Sequence, residues 1–170
     1  MSENNFLRRV FPEDAGAFLA LRKALDAETA FLMLEPGERQ TSEEEMRATL
    51  ERIVVAERDY LAVLECDGEL VGYLSAQAGS FRRNRHSAYI TTGIRQAYCG
   101  QGWGKRLFAD LIGWAKVSGI TRLELTVMSH NQRAIGLYTR MGFQKEGVKH
   151  HSLRVDNQFV DEDYMALLLD

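Results

Sequence analysis

Between Ile94 and Leu107 the chain reads Ile-Arg-Gln-Ala-Tyr-Cys-Gly-Gln-Gly-Trp-Gly-Lys-Arg-Leu. An apolar strand runs into a loop with glycines at 100, 102 and 104, and a helix follows at once. Glycine at alternate positions lets the backbone turn sharply and removes Cβ atoms that would block a ligand. Successive N–H groups can then point outward from a helix start, where the macrodipole favours negative charge. The chemistry implied is a backbone grip on phosphate or pyrophosphate. A Walker A loop needs Gly five residues before Gly104 and Ser or Thr after Lys105, but the chain has Cys99 and Arg106 there. A dinucleotide fingerprint needs G-x-G-x-x-G, and the spacing here is G-x-G-x-G. A tight strand–helix connection without a ligand is the alternative that this loop, taken alone, leaves open.

A second pattern lies downstream. Leu123-Glu-Leu-Thr-Val127 alternates as a strand, and Ser129-His-Asn131 opens a helical stretch Gln132–Met141 closed by Gly142-Phe143. Asn131 is a good N-cap and Gly142 a good residue just past the helix end. Within this segment sits Asn131-x-x-Ala134-x-x-x-Tyr138-x-x-x-Gly142-Phe143. The glycine loop resembles the acetyl-coenzyme A loop of the GNAT N-acetyltransferase superfamily, Arg/Gln-x-x-Gly-x-Gly/Ala. It is matched from Cys99 through Gly100, Gln101, Gly102 and Trp103 to Gly104, with Cys99 departing from the usual Arg or Gln. The downstream pattern is similar to the family's second signature at every letter.

The composition is that of an ordinary globular protein. With 170 residues, 45% of them hydrophobic and 26% charged, one domain over 1–170 with a substantial core is expected. No apolar run reaches membrane-spanning length, and Met1-Ser-Glu-Asn-Asn lacks a signal-peptide layout, so a cytoplasmic protein with no membrane partner is expected. A net charge of −3 argues against a nucleic-acid binder, and Arg82-Arg-Asn-Arg85 reads as a solvated loop. Cys66 and Cys99 form no C-x-x-C pair, and the four histidines, His150 and His151 included, make no metal spacing. No metal is expected.

Along the chain, Leu7–Val10 reads as a first strand, followed by a helix from Phe11-Pro-Glu-Asp with Phe18, Leu21 and Leu25 on one face. Residues 31–40 read as a loop. A second helix starts at Thr41-Ser42 with Glu44 and Glu45 as capping-box partners and a stripe of Met46, Leu50, Ile53 and Val54. Tyr60–Glu65 and Glu69–Ala76 pair around the Asp67-Gly68 turn, and Ser87–Ile94 is the next strand. The helix after the glycine loop buries Leu107, Leu111, Trp114 and Ala115. Strands near Val148–Arg154 and Phe159–Leu168 close the chain around Asp156-Asn157. The order β-α-α-β-β-β-α-β-α-β-β is a mixed α/β (α+β) arrangement. It coincides with the GNAT fold, which implies a mostly antiparallel sheet of about seven strands with a splayed central pair, flanked by about four helices.

The resemblance implies that Ser87–Ile94 and Leu123–Val127 form the splayed pair. The pantetheine arm of acetyl-CoA, a cosubstrate, would then pair with backbone around Thr92 and Ile94. The N–H groups of Gly100 through Lys105 would take the pyrophosphate, with Lys105 or Arg106 adding charge or standing as solvated helix cations. Trp103 packs or edges the ligand, and Asn131 positions the coenzyme. The reaction implied is direct attack of a primary amine on the thioester in a ternary complex. An alkylamine is only ~0.1% neutral near pH 7.4, so a base or a desolvating site matters. A backbone N–H from Ile94 is the candidate oxyanion donor and Tyr138 the candidate acid toward the sulfur. Many relatives use a Glu on the strand equivalent to Ser87–Ile94, and none stands here. Glu35, His86 and Tyr89 are the candidate bases, each with a bland alternative: loop carboxylate, strand-edge His, core Tyr.

Arg154–Tyr164 resembles the C-terminal hairpin of ribosomal-protein alanine and spermidine acetyltransferases, which points to a small-molecule amine, a polyamine or a protein N-terminus. Glu35, Glu38, Asp161, Glu162 and Asp163 are acids that attract a cationic acceptor or simply form solvated surface. A catalytically weak acetyl-CoA-binding sensor or docking module is the rival class, motivated by Cys99 and the absent strand Glu. Dimers are common in the family, so a homodimer stays open with no interface legible.

Overall fold

The computed structural model describes residues 4–170. Residues 1–3, part of the stretch in which no leader pattern is legible, lie outside the described residues. One seven-stranded sheet organises the chain. Its first half is an antiparallel set: Asn5–Arg9 (β1), Tyr60–Cys66 (β2), Glu69–Ala78 (β3) and Ser87–Ile94 (β4). Asp67 and Gly68 both have positive φ (48° and 85°), the backbone of a two-residue hairpin turn whose twist suits the flanking strands. The second half is Arg122–Met128 (β5), Gln144–Val155 (β6) and Gln158–Leu168 (β7), arranged β5-β7-β6 and again antiparallel. Only β4 and β5 run parallel, and they join the two halves.

Two helices cover each face. Ala15–Glu28 (α1) and Glu43–Val55 (α2) pack on one side, where Phe18, Leu21, Leu25, Met46 and Leu50 bury against Leu61, Val63 and Tyr73. Ser42 caps α2 through its hydroxyl on the Glu45 N–H, while the Glu45 carboxylate returns to the Ser42 N–H at 2.8 Å, a complete capping box. Val54 departs from the expected stripe and is 52% exposed, because it lies about 100° round the helix from Ile53, which packs on the core.

On the other face lie Trp103–Val117 (α3) and Gln132–Arg140 (α4). Leu107, Phe108, Leu111 and Ala115 of α3 are buried against Ala62, Leu74, Ile90 and Leu123, each large side chain worth roughly 1.5–3 kcal/mol of burial. Trp114 is only partly buried, its indole tilted against Tyr60 at 5.3 Å. β6 begins at Gln144, four residues before the expected Val148, and two register shifts interrupt its ladder with β7. Those shifts break the period-two pattern that would have announced the longer strand.

Candidate functional site

β4 and β5 share three backbone pairs, Ser87 with Arg122, Ala88 with Leu123 and Tyr89 with Glu124, and then part. At the two ends of β4 the Gly79 N–H donates to the Ser87 carbonyl and the Arg95 N–H to the Val71 carbonyl. Odd-numbered β4 residues therefore bond to β3, and even-numbered ones direct N–H and C=O toward β5. For Thr92 and Ile94, beyond the last β4–β5 pair, that direction is an open gap. Both residues are only partly buried, and the Ile94 carbonyl already accepts from the Cys99 thiol, so the gap-facing groups free to take an added partner are the two N–H groups and the Thr92 carbonyl. The Thr92 hydroxyl does not enter the gap, since it donates to the Tyr73 carbonyl at 2.8 Å.

The chain leaves β4 through a short 3₁₀ turn, Gln96–Tyr98, and enters the glycine loop. Gly102, with φ of 86°, is the left-handed N-cap of α3. The first helical bond of α3 runs from the Arg106 N–H to the Gly102 carbonyl. Among the described residues, the N–H groups of Gly100 through Lys105 make no hydrogen bond. Six consecutive free donors at a fifteen-residue helix start form a cradle suited to a pyrophosphate. Gly104 serves a different end: a Cβ there would lie 2.7 Å from Leu137 Cδ2, so this glycine lets α4 approach α3.

Side chains of the loop mostly turn away from that cradle. Trp103 is 7% exposed and packs with Leu64, Cys66 and Val71, so it contributes only its N–H. Arg106 lies over the Trp103 ring at 4.5 Å. Gln101 folds back onto the Ala97 carbonyl, and the half-buried Cys99 thiol donates to the Ile94 carbonyl at 3.5 Å. Lys105 is exposed beside the free N–H groups.

Asn131 is the N-cap of α4, its Oδ1 accepting from the Ala134 N–H at 3.3 Å. That places Tyr138 on the buried side of the helix, 8% exposed, with its ring against Phe108 and Phe143. Its hydroxyl makes no hydrogen bond among the described residues. Burial pushes the phenol up to about 12, and the neighbouring Tyr73 and Tyr89 phenols push the same way. Tyr73 and Tyr89 sit on the α1/α2 side of the sheet, whereas the Tyr138 ring packs on the α3/α4 side.

A cavity of 410 Å³ lies on the α1/α2 side, between residues 26–30 and 32–36, Met128 at the end of β5, and Leu153–Asp156. Of the three candidate bases, Glu35 lines this cavity, and its carboxylate has no ion pair among the described residues. Tyr89 is 44% exposed where the strands begin to part, its hydroxyl on Thr126 Oγ1 at 2.7 Å. His86 lies apart from both, exposed at the closed end where its carbonyl accepts from Thr121 and Arg122. Eight residues of strand put it about 26 Å from Ile94.

The acids of the hairpin are spoken for. Asp161 accepts from His150 and the His151 N–H, Glu162 faces Lys149, and Asp163 takes Ser129 and Lys145. These pairs tie β7 to its neighbours, so the expectation that they draw in a cationic acceptor gives way to a structural role. Sequence reasoning missed Glu28, Thr126 and Arg95, whose partners lie 37 to 67 residues away with no local signal. Among the described residues no group of three His, Cys, Asp or Glu could hold a metal ion.

Residues 24–143, well over half of the chain, match the acetyltransferase (GNAT) family. The chain belongs to that family. Among GNAT relatives, it is 32% identical over 112 residues to the N-alpha-acetyltransferase RimI of Mycobacterium tuberculosis, covering 64% of this chain and 66% of that protein. It is 32% identical over 105 residues to the L-amino acid N-acetyltransferase AaaT of Escherichia coli, covering 59% and 62%. Both alignments span just under two thirds of the relatives' own length. A solved GNAT-family acetyltransferase from Streptococcus pneumoniae superposes with a TM-score of 0.94 at 28% identity, over 98% of this chain and 100% of that one. A GNAT phosphinothricin acetyltransferase from Sinorhizobium meliloti, solved with acetyl-CoA, shares the fold with a TM-score of 0.83 at 20% identity, over 99% and 89%.

Proposed function

We propose that this protein is an acetyl-CoA-dependent N-acetyltransferase that transfers the acetyl group to a primary amine by direct attack in a ternary complex. The observation that carries the reading is the pairing of an open β4–β5 gap with six free N–H groups at the start of α3. The first fits an extended, amide-bearing arm and the second a pyrophosphate, and acetyl-CoA joins both to a reactive thioester. Thr92 offers the arm its gap-facing N–H and C=O, Ile94 offers its N–H, and Gly100–Lys105 offer the phosphates theirs. Lys105 adds positive charge at that end.

The Ile94 N–H is aimed into the gap, where it can donate to charge developing on the acetyl oxygen. Tyr138 stays protonated at neutral pH and holds a proton ready for the leaving sulfur. The acceptor enters through the 410 Å³ cavity, and the Glu35 carboxylate in its lining takes the ammonium proton, directly or through water. A small-molecule amine or a protein N-terminus suits that cavity, in keeping with the activities for which AaaT and RimI are named.

Thiol release from acetyl-CoA by purified protein, with and without a panel of amino acids, polyamines and N-terminal peptides, tests the reading. Acceptor-dependent release with an acetylated amine in the mass spectrum is expected. Acetyl-CoA binding with no turnover on any acceptor would favour a sensor or docking module instead.

A further inference from the structure

Glu28, the last residue of α1, lines one candidate site and bonds the segment that leads into the other. It lines the 410 Å³ cavity, and Thr29, next in the chain, begins the wall that continues to Pro36. Its two carboxylate oxygens accept from Arg95 Nε at 2.6 Å and from the Gln96 backbone N–H at 3.1 Å. Arg95 directly follows β4, and Gln96 opens the 3₁₀ turn that runs into Cys99 and Gly100. Arg95 is itself fixed, its N–H on the Val71 carbonyl at 2.8 Å and its guanidinium 3.6 Å from Glu69.

One carboxylate therefore clamps the cavity wall to the segment that enters the phosphate cradle, with no residue in between. Both bonds are charge-assisted, and the guanidinium and carboxylate are each only about a quarter to a third exposed. A brace whose sole duty is to hold α1 on the sheet has no need to bond the backbone of the loop, since α1 already buries Phe18, Leu21 and Leu25. Glu28 is also spared from acting as a base, because both of its oxygens are engaged.

We infer that Glu28 is a positioning residue that couples the two substrate sites: seating phosphates in the Gly100–Lys105 cradle orders residues 29–36 through Arg95 and Gln96. By linkage, an amine seated in the cavity tightens acetyl-CoA by the same factor that acetyl-CoA tightens the amine. Couplings of this kind are typically about 5–150-fold. The inference rests on the proposed function, which makes the cradle the acetyl-CoA seat and the cavity the acceptor seat.

Hydrogen–deuterium exchange of the full chain, with and without saturating acetyl-CoA, tests it without knowledge of the acceptor. In the wild type, acetyl-CoA slows exchange in residues 100–105 and also in residues 29–36. In Glu28→Ala, and in Arg95→Gln, which opens the clamp from the other side, protection at 100–105 persists and that at 29–36 is lost. Protection confined to 100–105 in the wild type overturns the coupling, as does protection of 29–36 that survives in both variants. No protection at 100–105 in the wild type overturns the proposed function first, and the coupling with it.

Discussion

Tyr89 of β4, in the last backbone pair between the two strands, and Thr126 of β5, two residues beyond that pair, join hydroxyls at 2.7 Å. The bond spans the gap where it begins to open and sets how far the strands part there. It also occupies the Tyr89 hydroxyl, which leaves Tyr89 better suited to bracing the gap than to taking a proton. Tyr89→Phe is expected to cost about 1 kcal/mol, the usual net worth of one hydrogen bond, and to leave turnover within a few-fold of wild type. Thermal melts and steady-state kinetics check this; a hundredfold fall in turnover would restore Tyr89 as a base.

Tyr138→Phe keeps the ring that packs on Phe108 and Phe143 and removes only the hydroxyl. Turnover is expected to fall roughly 10²-fold, with acetyl-CoA affinity and melting temperature little changed. Wild type should also show one more phenol titrating near pH 12 than the variant, by tyrosinate absorbance. The folded pKa is raised above the unfolded value of about 10, so the stability linked to this group is whole below pH 10. It is lost as pH rises toward 12.

Two glycines of the loop should fail for different reasons. Nothing lies within 4 Å of a Cβ at Gly102, but its φ of 86° is left-handed. Gly102→Ala is expected to cost about 1–2 kcal/mol through the backbone alone and to weaken acetyl-CoA binding. Gly104→Ala instead pushes on Leu137, with an overpacking cost of about 1–3 kcal/mol. Adding Leu137→Ala should recover part of the second loss and none of the first, a coupling that a double-mutant cycle reads directly.

Acid stability should depend on paired carboxylates. The Arg8 fork holds the Asp14 carboxyl below its ordinary range, overcoming the opposing effect of burial. At Glu28 burial pushes upward, and the Arg95 and Gln96 hydrogen bonds outweigh it, again lowering the carboxyl. A depressed folded pKa contributes stability above the unfolded value, about 3.9 for Asp and 4.3 for Glu, that is lost as pH falls through the folded one. Melting temperature should be level from pH 5 to neutrality, in the range of about 5–8 where such proteins are most stable, and should drop below pH 4. Asp14→Asn should start lower and drop less steeply, and parallel curves would contradict the assignment.

The sheet half built from Tyr60 to Ile94 was legible because Asp67-Gly68 is an unambiguous turn and Ser87–Ile94 an uninterrupted strand. The cradle was legible for the same local reason. What resisted reading was direction and distance. His86 and Tyr89 are three residues apart, yet only the parallel pairing with β5 decides which end of β4 opens. Trp103 sits inside the motif but turns its ring into the core beside Leu64 and Val71, a choice made by packing. From sequence Asn131 suits both a cap and a ligand contact, and packing commits its Oδ1 to the cap. The early start of β6 was hidden by its bulges, and the clamp at Glu28 by the 67 residues between its ends.

The most direct test of the account is an amide nitrogen–proton NMR titration of the protein with acetyl-CoA. The resonances of Gly100, Gly102, Gly104 and Lys105 are expected to move downfield as their N–H groups take phosphate oxygens, with Thr92 and Ile94 shifting alongside. If saturating acetyl-CoA supports transfer while these six amides stay in place, the coenzyme is held elsewhere and the account is wrong.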